Sequence, residues 1–275
     1  MRRFWFIVGA VLIVLGALSL LNVLFAALGI MFRIGWLFWP IILIGIGAWL
    51  ITGFTRGDRQ HSEVPREQAS IPLEGAAEAT VTVRHGAGRL TIGAGAAPDQ
   101  LLAGSFGGGL DAAKTNTGGR LKLDMRVKDR DVSRYIFGPW HHGWAGKLDW
   151  DFTLNPSIPL ILKLETGASE TRLSLTDLQV RELSVKTGAS STTVDLPGSA
   201  GHTRMHVESG AAAVKIRVPQ SVAATILVKS ALAGVHIDAT RFPPAAGGYR
   251  SANYEGAANK VEILVETGVG SIDIS

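Results

Sequence analysis

Two adjacent histidines lie near two aspartates, and these are residue types that can bind a metal ion. The cluster is His141-His142 with Asp149 and Asp151. A tetrahedral site needs four ligands in a defined geometry. Neighbouring side chains on a strand point to opposite faces, so both histidines could reach one ion only from a loop. We therefore expect a polar loop here, with no metal and no cofactor.

Aromatic side chains surround the histidine pair within residues 128–152, a segment that we interpret as an excursion from a regular scaffold. Such rings provide large contact areas, so the segment is a candidate patch for a partner or ligand. The patch comprises Tyr135, Phe137, Trp140, His141, His142 and Trp144. The alternative is that these rings and Trp150 plug one end or side of the folded domain. We favour that alternative, because scattered tryptophans are usually buried.

The remaining motifs do not predict catalysis. The glycine clusters at 86–88 and 107–109 lack the spacing and the following helix of a phosphate-binding loop. The sequence Gly-Ser-Ala-Gly-His at 198–202 does not have the spacing of a nucleophile elbow. The chain contains no cysteine, which excludes thiolate nucleophiles and thiolate metal sites. No nucleophile has an evident base, so we do not expect an enzyme.

A repeated unit would position these residues. Each copy reads apolar–x–apolar–charged, followed by a small polar residue and usually by glycine. Successive copies begin 21, 22, 21 and 37 residues apart, and the longest interval contains an insertion at 239–258. The copies begin at Leu162, Leu183, Met205, Ile226 and Ile263, with an outlying copy at Val81.

The repeat predicts an all-β domain over residues 71–275. Apolar residues alternate with a period of two on both sides of the glycine, which indicates two strands joined at a turn. One unit cannot bury its own apolar face, whereas stacked units can. We therefore predict a β-solenoid of roughly 21-residue strand–turn–strand repeats. An antiparallel β-sandwich is the alternative, and the near-constant spacing favours the solenoid.

Stacking the units has two further consequences. Equivalent residues would form rows about 4.8 Å apart. The hydroxyl row either binds a polymer or satisfies backbone groups at the corner, and we favour the second interpretation. The last rung, Val261–Ile274, has no visible cap, and an open strand edge can recruit a second copy of the chain. The hydroxyl row comprises Thr166, Ser169, Thr187, Ser190, Ser191 and Thr192.

Residues 1–52 predict an α-helical transmembrane hairpin. Phe4–Phe32 and Ile34–Thr52 contain no charged side chain, and about 20 apolar residues span a bilayer as a helix. A cleaved signal peptide is the alternative, but the first apolar run is too long for one and a second run follows at once. Residues 53–70 are interpreted as a linker. Four tryptophans near the predicted span ends would anchor the hairpin in the lipid bilayer: Trp5, Trp36, Trp39 and Trp49.

Arginines flank the hairpin at both ends. Arg2 and Arg3 precede it, Arg56 and Arg59 follow it, and Arg33 alone lies between the spans. The positive-inside rule then predicts both termini, and the all-β domain, on the cytoplasmic side of a bacterial membrane. The formal net charge of +4 is not gathered into a basic stripe, so we expect no nucleic acid partner.

The chain resembles LiaF-like bacterial membrane proteins. The second apolar segment, Trp36-Leu-Phe-Trp-Pro-Ile-Ile-Leu-Ile-Gly-Ile-Gly, is similar to the transmembrane hairpin of that family. Residues of about 70–200 resemble its toast-rack domain, a β-solenoid. The cues are Ile71-Pro-Leu-Glu-Gly-Ala, His85-Gly-Ala-Gly-Arg-Leu-Thr-Ile, Trp150-Asp-Phe-Thr-Leu-Asn-Pro-Ser-Ile-Pro-Leu and the paired Thr-Gly-Ala turns.

The resemblance implies a non-enzymatic regulator or sensor in the cell-envelope stress response, with a membrane sensor kinase as its partner. It supplies no catalytic residues. Two other functions stay open from the residues themselves. One is a self-assembling scaffold that uses the terminal rung, and the other is a module that binds envelope polymer or lipid through the aromatic segment.

Overall fold

The computed structural model of the protein describes residues 66–128 and 148–275. Within these ranges the regular structure is entirely β, and no helix there has the length and hydropathy of a membrane span. The predicted hairpin and its four tryptophan anchors lie outside the described residues. The strands are β1 (Arg66–Pro72), β2 (Glu78–Ala94), β3 (Gln100–Gly107), β4 (Leu110–Thr117), β5 (Arg120–Val127), β6 (Trp150–Leu154), β7 (Pro159–Ser174), β8 (Gln179–Asp195), β9 (His202–Arg217), β10 (Ala223–Ile237), β11 (Pro244–Ala245), β12 (Gly248–Arg250) and β13 (Lys260–Ile274).

Six long strands, β2, β7, β8, β9, β13 and β10, form a parallel stack in register. The first residues of the predicted copies align across it, since Val81 pairs with Leu162 and Leu162 with Leu183. The Val81 copy is therefore an integral rung of the stack. Parallel pairing of successive repeats is incompatible with the antiparallel sandwich.

Five of the six long strands bend at a central glycine, and in β10 the equivalent residue is Ala231. In β7 the buried positions are Leu160, Leu162 and Leu164 before Gly167, and Thr171 and Leu173 after it. The buried residues have even numbers before the bend and odd numbers after it. The chain changes direction at the bend, so this shift keeps the buried side chains of both halves facing the same core. The two halves thus form two walls of each coil.

A short connection closes the coil between β7 and β8, between β8 and β9, and between β9 and β10. Between β7 and β8 it is a four-residue segment in which the amide of Leu178 donates to the carbonyl of Leu175. Both leucine side chains are fully buried and extend the core formed by the two walls. This explains the predicted period, because a bent strand and its turn together make one coil.

The spatial order of the rungs differs from their order in the sequence. Strand β13 lies between β9 and β10, and it pairs with both along its length. The prediction that Val261–Ile274 is an open terminal rung is therefore wrong. Among the described long strands the outermost is β10. The chain runs from β9 to β10 first, and β13 later occupies the position between them.

The other end of the stack branches at β2. The first half of β2 pairs with β5, and its second half pairs with β6, which in turn pairs with β3 and then β1. Two predicted boundaries shift as a result. The strand β1 begins at Arg66, inside the predicted linker 53–70, and β6 takes up Trp150–Phe152 from the predicted excursion 128–152.

The predicted insertion at 239–258 folds against the β10 end of the stack. Its hairpin of β11 and β12 pairs with β10 only at Thr225 and Ile226. Phe242 and Tyr254 are buried there. The insertion therefore covers the first wall of β10, and within the described residues the second wall has no strand beyond it.

Candidate functional site

A broad, shallow groove of about 1030 Å³, largely open to solvent, runs along the bends of all six long strands. Its floor follows the row of central glycines, which lie in register from rung to rung, with Ala231 in the equivalent place on β10. Glycine is required where rungs approach closely. A Cβ at Gly167 would lie 2.4 Å from the carbonyl oxygen of Gly86, and one at Gly268 would lie 2.7 Å from that of Gly210. The small residues thus serve close stacking, and a shallow channel above them is the result.

Hydroxyl groups line one side of this floor. Thr166 Oγ1 donates to Thr187 Oγ1 at 3.0 Å, and Ser209 Oγ donates to Thr267 Oγ1 at 2.8 Å. Past the bend, Ser190 and Thr192 share a hydrogen bond of 3.3 Å. Thr166, Thr187, Ser190 and Thr192 of the predicted row thus bond to other hydroxyls, whereas we expected them to satisfy backbone groups at the corner. These bonds satisfy the hydroxyls internally, which is a structural role.

Charged side chains form the lip of the groove, one from each rung. In spatial order they are Arg84, Glu165, Lys186, Glu208, Glu266 and Lys229. Ion pairs join them at 3.1 Å (Arg84–Glu165), 2.7 Å (Lys186–Glu208) and 2.9 Å (Lys229–Glu266). The hydrogen bond to Glu208 raises the pKa of Lys186, and that from Lys229 lowers the pKa of Glu266. Exposed pairs of this kind add little stability, but they fix a regular charge pattern along the groove.

One buried histidine closes the β2 end of the groove. His85 is 1% exposed, and its Nε2 lies 2.6 Å from the carbonyl oxygen of Leu148. A carbonyl only accepts, so Nε2 carries the proton and Nδ1 is left buried without a partner. Burial lowers the pKa of His85, while the carbonyl and Asp149 oppose that shift. The imidazole is a neutral wall of the groove, tilted against the ring of Trp150.

The structure places only the margin of the predicted aromatic patch. Tyr135, Phe137, Trp140, His141, His142 and Trp144 lie outside the described residues. Trp150 is fully buried, and its Nε1 donates to the carbonyl of Gly107 at 3.0 Å. Trp150 is therefore a core residue, and the plug interpretation of the other rings stays a prediction. Asp149, a metal-ligand candidate, accepts from the amide of Arg89 and pairs with its side chain.

Sequence reasoning missed the charged lip as a continuous feature. The signal was present, because each repeat carries a charged residue two positions before its glycine. It also missed Asn155, whose buried amide donates to three carbonyls at 2.7–3.3 Å, those of Ala97, Pro98 and Gln100. Nothing in the repeat pattern indicates this residue, because Asn155 lies between repeats.

The parallel in-register stack and its grooved corner define the class of the described residues, a β-solenoid of bent strands. The chain belongs to the Toast_rack_N family, the N-terminal domain of toast_rack (DUF2154), which matches residues 60–217. The matched range ends at the last residue of β9. Strands β10 to β13 therefore extend the stack beyond the family domain.

Two solved structures are similar to this chain. A candidate cell adhesion protein from Clostridium sporogenes has a TM-score of 0.67 and 20% identity, over 76% of this chain and 98% of that one. A candidate adhesin from Bacteroides fragilis has a TM-score of 0.22 and 7% identity, over 77% of this chain and 97% of that one. The first similarity supports the fold alone. No curated protein matches the chain.

Proposed function

We propose that the protein is a non-enzymatic, membrane-anchored regulator of the bacterial cell-envelope stress response that acts on a membrane sensor kinase. The observation that carries the proposal is the groove. Its in-register floor and its row of charged side chains of both signs suit the recognition of an extended segment of another protein. Membership of the toast-rack family supports the scaffold, and the LiaF-like second apolar segment supports the membrane anchor.

The anchor and the side of the membrane belong to the same proposal. Two uncharged segments before residue 53 have the lengths of two spans, and the arginine distribution favours a cytoplasmic all-β domain. The domain would then lie on the same side as the catalytic domain of a sensor kinase.

Topology can be tested with a single cysteine, because the chain has none. Ala258 is exposed in the insertion, so Ala258→Cys offers a thiol to a membrane-impermeant maleimide. Labelling only after cell lysis is the expected result. Labelling of intact cells would contradict the cytoplasmic placement and favour the binding of envelope polymer.

The groove can be tested with two lysines of similar exposure. Lys186 lies on the lip, whereas Lys163 is exposed on the same wall outside the groove. In a deletion strain that carries a reporter of the stress response, Lys186→Glu is expected to fail in restoring normal reporter output. Lys163→Glu is expected to restore it at equal protein level. Equal behaviour of the two variants would contradict a role for the groove.

A second candidate function is self-assembly, and the free edge of β10 favours it. Within the described residues, the second half of β10 pairs only with β13. All four exposed large apolar side chains found there lie on these two strands, and Leu232 is 76% exposed. An open apolar edge recruits strands from other chains.

The assembly candidate is tested by the mass of the full-length chain in detergent. Leu232→Lys on the edge strand is expected to reduce a dimer or larger species to a monomer. Val269→Lys is the control, because Val269 is also exposed but β13 is paired on both edges. A monomeric wild-type chain by light scattering would reject this candidate.

A further inference from the structure

Three side chains of metal-binding type meet on the outer face where β9 and β13 are neighbours. They are His206, Glu208 and Glu266, and one ligand atom from each lies within 4.8 Å of the others. His206 and Glu208 are two residues apart on one strand and so share a face. Glu266 is the register partner of Glu208. The backbone thus holds all three on a rigid parallel ladder.

The distances in the cluster fit a metal ion better than hydrogen bonds. His206 Nε2 lies 3.5 Å from Oε2 of Glu266 and 3.8 Å from Oε1 of Glu208. Both separations exceed an ordinary hydrogen bond, and Nε2 of His206 is shielded from solvent, as is Nε2 of His202. Ligands about 2.1 Å from a tetrahedral zinc ion are about 3.4 Å apart. The two separations are therefore close to the edge of such a tetrahedron.

Two lysines hold the carboxylates from the far side. Lys186 Nζ bonds to Oε2 of Glu208 at 2.7 Å, and Lys229 Nζ bonds to Oε1 of Glu266 at 2.9 Å. In each carboxylate the lysine takes one oxygen, and the other oxygen faces His206. Carboxylates that bind metals are commonly oriented in this way by outer hydrogen bonds. The lysines also balance the two adjacent negative charges, which would otherwise repel across the ladder.

We propose that His206 Nε2, Glu208 Oε1 and Glu266 Oε2 form a binding site for a divalent cation of the zinc type. A mixed imidazole and carboxylate set suits zinc, whereas calcium and magnesium prefer oxygen ligands alone. Three protein ligands leave a fourth position for water or for a group from a partner. The site opens beside the groove, since Glu208 and Glu266 also belong to its lip.

The test is a calorimetric titration of Zn²⁺ into the purified full-length chain in detergent. His206→Gln is expected to weaken binding at least tenfold, because losing even a group that only supports a ligand costs about 10–100-fold. His202→Gln is the matched control. His202 is on the same strand and face, but it is near one carboxylate only, Glu262 at 3.0 Å. The His202→Gln variant is expected to bind Zn²⁺ as tightly as the wild type does.

A second measurement reports the coordination geometry of the bound metal ion and does not depend on its affinity. Co²⁺ in place of Zn²⁺ should show the strong visible absorption of a tetrahedral ion, and His206→Gln should abolish it. Circular dichroism of the metal-free variants establishes that the fold is retained. The proposal is overturned by a wild-type chain that does not bind Zn²⁺. Equal binding by the two histidine variants overturns it too, as does binding that only substitution of His141 and His142 removes.

Discussion

Replacing one glycine of the groove floor tests whether the close approach of neighbouring rungs requires glycine at these positions. Gly167→Ala places a Cβ 2.4 Å from the carbonyl oxygen of Gly86, a rigid backbone atom. Gly86→Ala provides the control. A Cβ at Gly86 has no atom within 4 Å, and neither glycine has a positive φ. The two substitutions are chemically identical and lie on adjacent rungs of the same row.

The magnitude follows from the clash. Contacts under 3.0 Å are essentially absent for real Cβ atoms, so the two rungs must separate by about 0.6 Å or bend. Forcing an extra methyl group into a packed region costs about 1–3 kcal/mol. The gain from a stiffer unfolded chain, about 0.4–1 kcal/mol, is common to both variants and cancels in their difference. Gly167→Ala should therefore be about 1–3 kcal/mol less stable than Gly86→Ala.

Urea unfolding of the full-length variants, followed by the β-sheet signal in circular dichroism, measures this difference. In thermal unfolding, each kcal/mol corresponds to about 2–4 °C in Tm for a domain of this size. Gly86→Ala is expected to equal or exceed the wild type. Equal midpoints for the two variants would refute the claim that backbone approach selects glycine at Gly167.

Three further substitutions probe the buried polar groups. Asn155→Asp replaces the donating amide by a carboxylate that faces backbone carbonyls, which also only accept. The free energy of unfolding in urea is expected to fall by more than about 3 kcal/mol. Asn253→Asp, at an exposed position, is the near-neutral control. Burial lowers the pKa of His85 below 6.5. As the pH falls, the His85 imidazole is therefore protonated in the unfolded chain at a higher pH than in the folded chain. The free energy of unfolding should then fall as the pH drops below about 6.5, and less steeply in His85→Gln. Trp150→Phe leaves the carbonyl of Gly107 without its donor and should cost about 1–3 kcal/mol, measured by the same unfolding experiment.

The register of the stack could be predicted from the sequence, because local signals determine it. Period-two alternation specifies the buried face, and the glycine specifies the bend, so aligned copies such as Leu162 and Leu183 pair in the structure. The bend also explains why alternation shifts by one residue at Gly167. The register, the buried face and the bend can each be predicted from the residues of one coil and the coil next to it.

The branching at β2 could not be predicted in the same way. Strands β3 to β6 lack the repeat, so the sequence does not indicate which strand covers Trp150. In the structure Trp150 lies on β6 and is the register partner of Phe106 on β3. The charged lip could be inferred only as separate residues. Its continuity depends on which rungs are neighbours in space. The repeats are similar in sequence, so the sequence does not show which of them pair.

The insertion of β13 has a consequence for charge that links the fold to the proposed metal site. If β10 followed β9 directly, Lys229 would lie beside Glu208, and the lip would alternate in sign from Arg84 onward. The observed order places Glu266 there instead, so two carboxylates become direct neighbours. Like charges opposite each other destabilise a sheet. The structure offsets this with a lysine on either side and with His206 between the free oxygens. A departure from sequential stacking thus creates the one place along the described lip where two carboxylates are direct neighbours with an imidazole between them, and these three groups are the proposed ligands of the cation.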